Sequence, residues 1–280
     1  MDYRRVRRII GAESAVTHDQ DPRTAEGLRR ARIFLSGEEP SRLVAGRRML
    51  RMLPSSPRCK LCAAPFSAPF GPLMRALGKA RWPKNPKYCR SCFSELVRYR
   101  VGAEVNCSLL FADVRGSTSM AETLRPTEFT ALMNDFFETA SRILIKHDAI
   151  VDKFVGDEVI GIFVPAITAG KHAAGAIAAG RELLAATVDS RQPRFAIGVG
   201  VNTGVAYVGA VGEGEQVELT AMGDPVNVAA RLASAAGPAE LLVTESAARE
   251  ASLDTSRLEQ RVLDLKGKSE STKVYVLHGV

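Results

Sequence analysis

KFVGDEVIGIF, residues 153–163, places Phe154, Val155, Val159, Ile160, Ile162 and Phe163 around a Gly-Asp pair. Branched and aromatic side chains on both sides of Gly156-Asp157 predict two buried strands joined by a tight turn. Lys153 and Asp157 stand four residues apart beside that turn. Either they form a weak, solvated ion pair, or each serves something outside the hairpin.

The surrounding chain alternates strands and helices. Apolar runs predict strands at 105–112, 150–155, 158–164, 195–202 and 205–211, with weaker ones at 217–221, 240–243, 261–265 and 274–277. Helical periodicity covers 126–146, 169–188 and 225–236. Antiparallel hairpins at Gly156 and Gly204 point to an α+β sheet packed with helices rather than a doubly wound one. The 280 residues, 46% hydrophobic and 25% charged, suffice for a substantial core. No run of about 18 apolar residues suggests a membrane span. The opening MDYRRVRRII is basic but lacks the apolar region of a signal peptide, so a cytoplasmic protein is expected.

Charge divides the chain. Residues 1–100 carry 22 Lys and Arg against 8 Asp and Glu, and the remainder is net acidic. The basic part either docks on the acidic part or serves a partner such as nucleic acid or an anionic membrane. Residues 1–57 are expected to be a basic, partly helical segment with helices at 22–35 and 41–53. The second sets Leu43, Gly46, Leu50 and Leu53 on one face beside Arg42, Arg47, Arg48 and Arg51.

Residues 58–93 carry two C-x2-C pairs, Cys59/Cys62 and Cys89/Cys92. Such pairs suit one tetrahedral zinc, which would supply folding energy to a segment with few apolar runs; two disulfides are the alternative, disfavoured in a cytosol. Four thiolates leave no open position, so the zinc would be structural. Lys60, Arg75, Lys79, Arg81, Lys84, Lys87 and Arg90, with Trp82 and Tyr88, form either a phosphate-binding surface or an ordinary basic one. A linker, 94–104, leads into a second unit, 105–280. Cys107, on a strand, is expected in the core.

Three segments of the second unit carry chemistry. In LLFADVRGSTSM, Asp113 ends a strand where a carboxylate can either hold a divalent cation or simply cap the helix that follows. Gly116, Ser117 and Thr118 then open a helix whose free amides favour an anion. Asp157, past the hairpin turn, offers a second carboxylate for the same cations, an arrangement suited to phosphoryl transfer. In ELTAMGDPVNVAARL, Asp224 caps a helix that Pro225 begins. Asn227 and Arg231, at i and i+4, emerge on one face.

Together these segments resemble the catalytic domain of the class III adenylate and guanylate cyclases, from about residue 106 to 279. The resemblance implies a ferredoxin-like sheet with helices packed on it, acting as a head-to-tail homodimer with sites between subunits. It assigns Asp113 and Asp157 to two Mg2+ or Mn2+ ions, Lys153 and Thr220 to the purine, and Asn227 and Arg231 to the ribose and transition state. Lys266 is assigned to the terminal phosphates. It also implies conversion of ATP to 3′,5′-cyclic AMP and pyrophosphate. On this view Lys153 and Asp157 serve different sites. Thr220 departs from the aspartate found in many adenylate cyclases, and a hydroxyl that can accept or donate discriminates less than a carboxylate. Lys153 donates, which favours adenine N1 and hence ATP; a guanylate or pyrimidine nucleotide cyclase is the alternative, as is a nucleic-acid- or membrane-binding regulator using the fold to dimerise. The cysteine module also resembles one that precedes this domain in some bacterial cyclases.

Overall fold

The structure, a computed structural model, describes residues 29, 31–32, 35–37, 42–54, 57–83, 86–99, 102–188, 196–212, 217–265, 268 and 271–278. Most of the expected helix 22–35, and Lys84 and Lys266, lie outside them. The described elements are α1 (Arg42–Leu50), α2 (Gly71–Ala76), α3 (Arg90–Tyr99), β1 (Gly102–Val114), α4 (Ser117–Thr123), α5 (Pro126–Lys146), β2 (Ile150–Val155) and β3 (Glu158–Phe163). They continue as α6 (Pro165–Thr168), α7 (His172–Val188), β4 (Ile197–Val211), β5 (Glu218–Met222), α8 (Asp224–Ala235), β6 (Glu240–Thr244), α9 (Glu245–Glu250), β7 (Glu259–Leu263) and β8 (Thr272–His278).

The strands form one sheet, β2-β3-β1-β4-β6-β8-β7, with β5 pairing the second half of β4. Its spine is the antiparallel pair β1 and β4, in register from Gly102 opposite Gly209 to Val114 opposite Ile197. Among the described strands only β4 and β6 pair in parallel. Side chains of β1 alternate between two cores, as the strand period of two requires. Val105, Cys107, Leu109 and Phe111 face one core, which Ala229 and Ala233 of α8 and the N-terminal residues complete. Leu110, Ala112 and Val114 face the other, against α5 and α7. Helix α5 buries Leu132, Met133, Phe136, Ala140, Ile143 and Leu144 along one stripe, and a capping box between Arg125 and Glu128 starts it.

The hairpin at Gly156 forms as expected: Val155 pairs with Glu158 across a two-residue turn whose first residue, Gly156, has φ +62°. The hairpin expected at Gly204 does not form. Strand β4 runs straight through it, because β1 pairs with β4 along its whole length. Gly204 is there for space: a Cβ on it would lie 2.9 Å from the Pro225 ring at the start of α8. The expected helix 169–188 begins three residues later, as α7 at His172, because Ala169 takes φ +53° and ends the separate short helix α6 before it. The expected linker 94–104 contains the end of α3 and the start of β1.

Candidate functional site

The cysteine module is small but closed. Cys59, Cys62, Cys89 and Cys92 are all buried, and their sulfurs lie within 4.8 Å of one another. None is in a disulfide. Cys62 and Cys89 Sγ are 3.8 Å apart, about the edge of a tetrahedron with metal–sulfur arms of about 2.3 Å. The Cys89 amide also donates to Cys59 Sγ at 3.3 Å. Four soft donors so placed fit zinc. Beside them Trp82 stacks on Phe93 at 5.7 Å and Tyr88 lies 6.1 Å from Phe93.

The module is docked on the sheet, which takes Lys60, Lys87 and Tyr88 out of the basic surface while Arg75, Arg81 and Arg90 stay exposed. Arg47, expected beside the apolar face of a solvated helix, is 2% exposed. Its guanidinium donates to the carbonyls of Lys60, Leu61 and Ala149. Arg51 pairs with Asp148 at 2.5 Å. Lys60 is buried between strands: Nζ lies 3.0 Å from Asp152 Oδ1, 2.7 Å from Asp152 O and 2.8 Å from Leu219 O. Lys87 pairs with Glu218 at 2.9 Å. The fully buried Tyr88 accepts from the Leu219 amide at 2.9 Å. Lys60, Lys87 and Tyr88 are therefore committed to β2 and β5, and Trp82 to the module's own core. The acidic residues of one part attract the basic ones of the other.

On the same sheet face, Asp113 stands opposite Glu158 in the β1–β3 register. The Val114 amide donates to Asp157 O at 3.4 Å, which holds the hairpin turn against the end of β1. The two expected carboxylates thus meet. Burial, reinforced by hydrogen-bonding contact with Asp157 and opposed by Arg115, pushes the Asp113 carboxyl up to about 6. Burial and the same two aspartates push Glu158 up to about 7. Acids held this close, at a cost to their charged forms, fit a divalent cation, whose charge removes the repulsion. Arg115 is ion-paired with Asp113 and donates to Ser234 O at 3.0 Å. Neither Glu158 nor Arg115 was singled out from the sequence, although both flank motif aspartates. Gly116, at φ +73°, precedes α4, and Ser117 and Thr118 are its first two residues.

Lys153 and Asp157 do not pair. Lys153 Nζ lies 3.2 Å from Thr220 Oγ1 and 3.4 Å from Asp152 Oδ2. Thr220 Oγ1 in turn donates to Asp152 Oδ2 at 2.6 Å. Lys153 and Thr220, 67 residues apart in sequence, are thus brought together, with Asp152 as a third member that the sequence reading missed. Helix α8 begins one residue earlier than expected: Gly223 is its N-cap and Asp224 its first residue, so Asp224 does not cap the helix but pairs with Lys268 at 2.7 Å. Val228 and Leu232 are buried, Asn227 is exposed and Arg231 half-exposed.

Comparison with known proteins accords with this geometry. The family model for the adenylate and guanylate cyclase catalytic domain matches residues 101–279. An adenylate cyclase of Anabaena cylindrica is 30% identical over 182 residues, covering 60% of this chain and 36% of that protein. Adenylate cyclase 1 of Rhizobium meliloti (strain 1021) is 34% identical over 130 residues, covering 44% and 20%. The chain thus spans about a third or less of these relatives. Among solved structures, the adenylyl cyclase CyaB from P. aeruginosa superimposes with a TM-score of 0.55 at 28% identity, over 62% of this chain and 95% of that one. The guanylyl cyclase Cya2 superimposes with a TM-score of 0.60 at 25% identity, over 64% and 95%. With the fold, the paired aspartates and the family match in agreement, the chain belongs to the class III adenylate and guanylate cyclase catalytic-domain family.

Proposed function

We propose that the protein is an adenylate cyclase that converts ATP to 3′,5′-cyclic AMP and pyrophosphate. The observation that carries this reading is the pairing of Lys153 with Thr220 on the same sheet as the acid pair Asp113 and Asp157. In the reaction, the ribose 3′-oxygen loses its proton and bonds to the α-phosphorus as the bond to the β-phosphate oxygen breaks. Asp113 and Asp157 would hold two Mg2+ or Mn2+ ions, which acidify the 3′-hydroxyl and neutralise the triphosphate. Lys153 donates to adenine N1, and Thr220 meets the 6-amino group. Asn227 orients the ribose, and Arg231 stabilises charge on the transferring phosphoryl group. Gly116, Ser117 and Thr118 receive phosphate, and Lys266 binds the terminal phosphates.

The site is completed by a second copy, head to tail. Large apolar side chains left exposed at the β2–β3 turn and along β4–β5, Phe154, Val155, Val205 and Met222, support such an interface. Cys59, Cys62, Cys89 and Cys92 would hold one structural zinc. Among the described residues no helix is long and apolar enough to cross a membrane. Incubating the purified chain with each ribonucleoside triphosphate and Mg2+ or Mn2+ tests the reading. Cyclic AMP and pyrophosphate should dominate; preferential formation of cyclic GMP, or no cyclic product, would overturn it.

A further inference from the structure

We propose that Asp152 and Lys60 set the base specificity of this site by dictating the direction of the Thr220 hydroxyl proton, an inference that rests on the adenylate cyclase reading. A threonine hydroxyl has one proton to donate and two lone pairs to accept with, so by itself it suits either purine. Here its freedom is removed. Asp152 Oδ2 lies 2.6 Å from Thr220 Oγ1, and a carboxylate can only accept. Thr220 therefore spends its proton on Asp152. The Lys153 ammonium, 3.2 Å away, donates to the same oxygen. What remains for a base is a lone pair. When Lys153 swings to a ring nitrogen, Thr220 presents an acceptor to the exocyclic group at purine C6. Adenine carries an amino donor there and guanine a carbonyl acceptor, so the site accepts the first and repels the second.

Lys60 holds this arrangement from the far side. Its three ammonium protons meet three acceptors, Asp152 Oδ1, Asp152 O and Leu219 O, at 2.7 to 3.0 Å. The Lys60 and Asp152 side chains are each 5% exposed, so water cannot stand in for either partner. Because an ammonium has no lone pair, it requires an acceptor at the Oδ1 position. Lys60 sits between Cys59 and Cys62, and Tyr88, next to Cys89, clasps strand β5 through the Leu219 amide, one residue before Thr220. The cysteine module is thus a wall of the purine pocket, and Asp152 and Lys60 are positioning residues that act through Thr220.

The test is the ratio of kcat/KM for ATP to that for GTP, measured with one metal. Asp152→Asn is isosteric. Lys60 keeps the amide oxygen on its own side, which turns the new NH2 toward Thr220; the threonine oxygen then accepts and its proton is released toward the base. The ratio should fall about tenfold or more. The double variant Asp152→Asn/Thr220→Asp, which again offers only acceptors at position 220, should return most of it. Should Asp152→Asn not fold, Thr220→Val carries the test, since it should raise KM for ATP about tenfold and leave GTP little changed. A purely structural role would lower turnover of both nucleotides by one factor; an unchanged ratio in Asp152→Asn would overturn the proposal and leave the adenylate reading standing, whereas an unchanged ratio in Thr220→Val would overturn the proposal together with the assignment of Thr220 to the base. A wild-type preference for GTP would overturn both.

Discussion

Asp113 and Asp157 illustrate how much a single residue type at a single place can mean. Both were visible in the sequence as candidates, although a carboxylate at a strand end or beside a glycine turn is as often a cap or turn residue. Their contact, and the rise of the Asp113 carboxyl to about 6, came only with the fold. Replacing either by alanine removes half of the charge that would hold the cations, and turnover should fall by about a hundredfold or more. Steady-state cyclic nucleotide production at saturating metal checks this; near-normal turnover would remove the metal assignment. Asp152 was not legible. It precedes Lys153 and looks like one more charge on a strand, while its ion-pair partner Lys60 lies 92 residues away in another part of the chain.

At the scale of elements, β4 is the instructive case. Gly204 between two apolar runs resembles a hairpin turn, yet the strand continues, and the glycine admits the first turn of α8. Gly200 does the same further along: a Cβ there would lie 2.5 Å from Ala229 O and from the Ala233 amide. A sequence shows that a glycine is needed, not whether the need is a turn or a close approach. Another junction joins β1, β4, α7 and α9. Ser108 Oγ lies 2.8 Å from His172 Nδ1 and 2.6 Å from Thr203 Oγ1, and His172 Nε2 lies 3.4 Å from Glu250. Ser108 is wholly buried, so this Ser-His-Glu chain braces α7 on the sheet and is closed to substrate. Burial lowers the His172 pKa, against the pull of Glu250. The unfolded chain therefore binds a proton that the folded chain refuses, and stability falls as pH drops below about 6.5. His172→Asn keeps an acceptor for Ser108 but does not titrate. Between pH 8 and pH 5 the wild type should lose more stability to urea than the variant, by at most about 1.4 kcal/mol per pH unit; parallel losses would show that another group governs the acid limb.

The whole molecule is a sheet with two covered faces, one of them covered in part by the cysteine module. Elemental analysis should find about one zinc per chain. Because Lys60 and Tyr88 reach the sheet from the knuckles, stripping the metal should also weaken nucleotide turnover; a zinc-free protein with full activity would break that link. The divergence of Lys153 from Asp157 makes a sharper prediction about assembly. Lys153→Ala and Asp157→Ala homodimers should both be inactive. When the two are mixed and subunits exchange, half of the dimers are mixed, and each of these has one intact site of two. Activity should recover to roughly a quarter of wild type. No recovery, with exchange demonstrated by a label, would place both residues in one site.

The sequence alone determined the α+β alternation, the Gly156 hairpin and the four-cysteine cluster, and it marked the motif aspartates, asparagine and arginine as candidates. Each rests on short local patterns, the cysteines on two such C-x2-C pairs, where strand period, turn chemistry and ligand spacing act directly. Only the tertiary structure decided that β4 passes through Gly204, that Arg47 and the Lys60 side chain are buried, and that Asp152 takes the Thr220 proton. These depend on which distant groups the fold brings within hydrogen-bonding reach. A lysine in a basic stretch carries the same charge whether it faces water or a buried carboxylate, and the difference lies wholly in what packs over it.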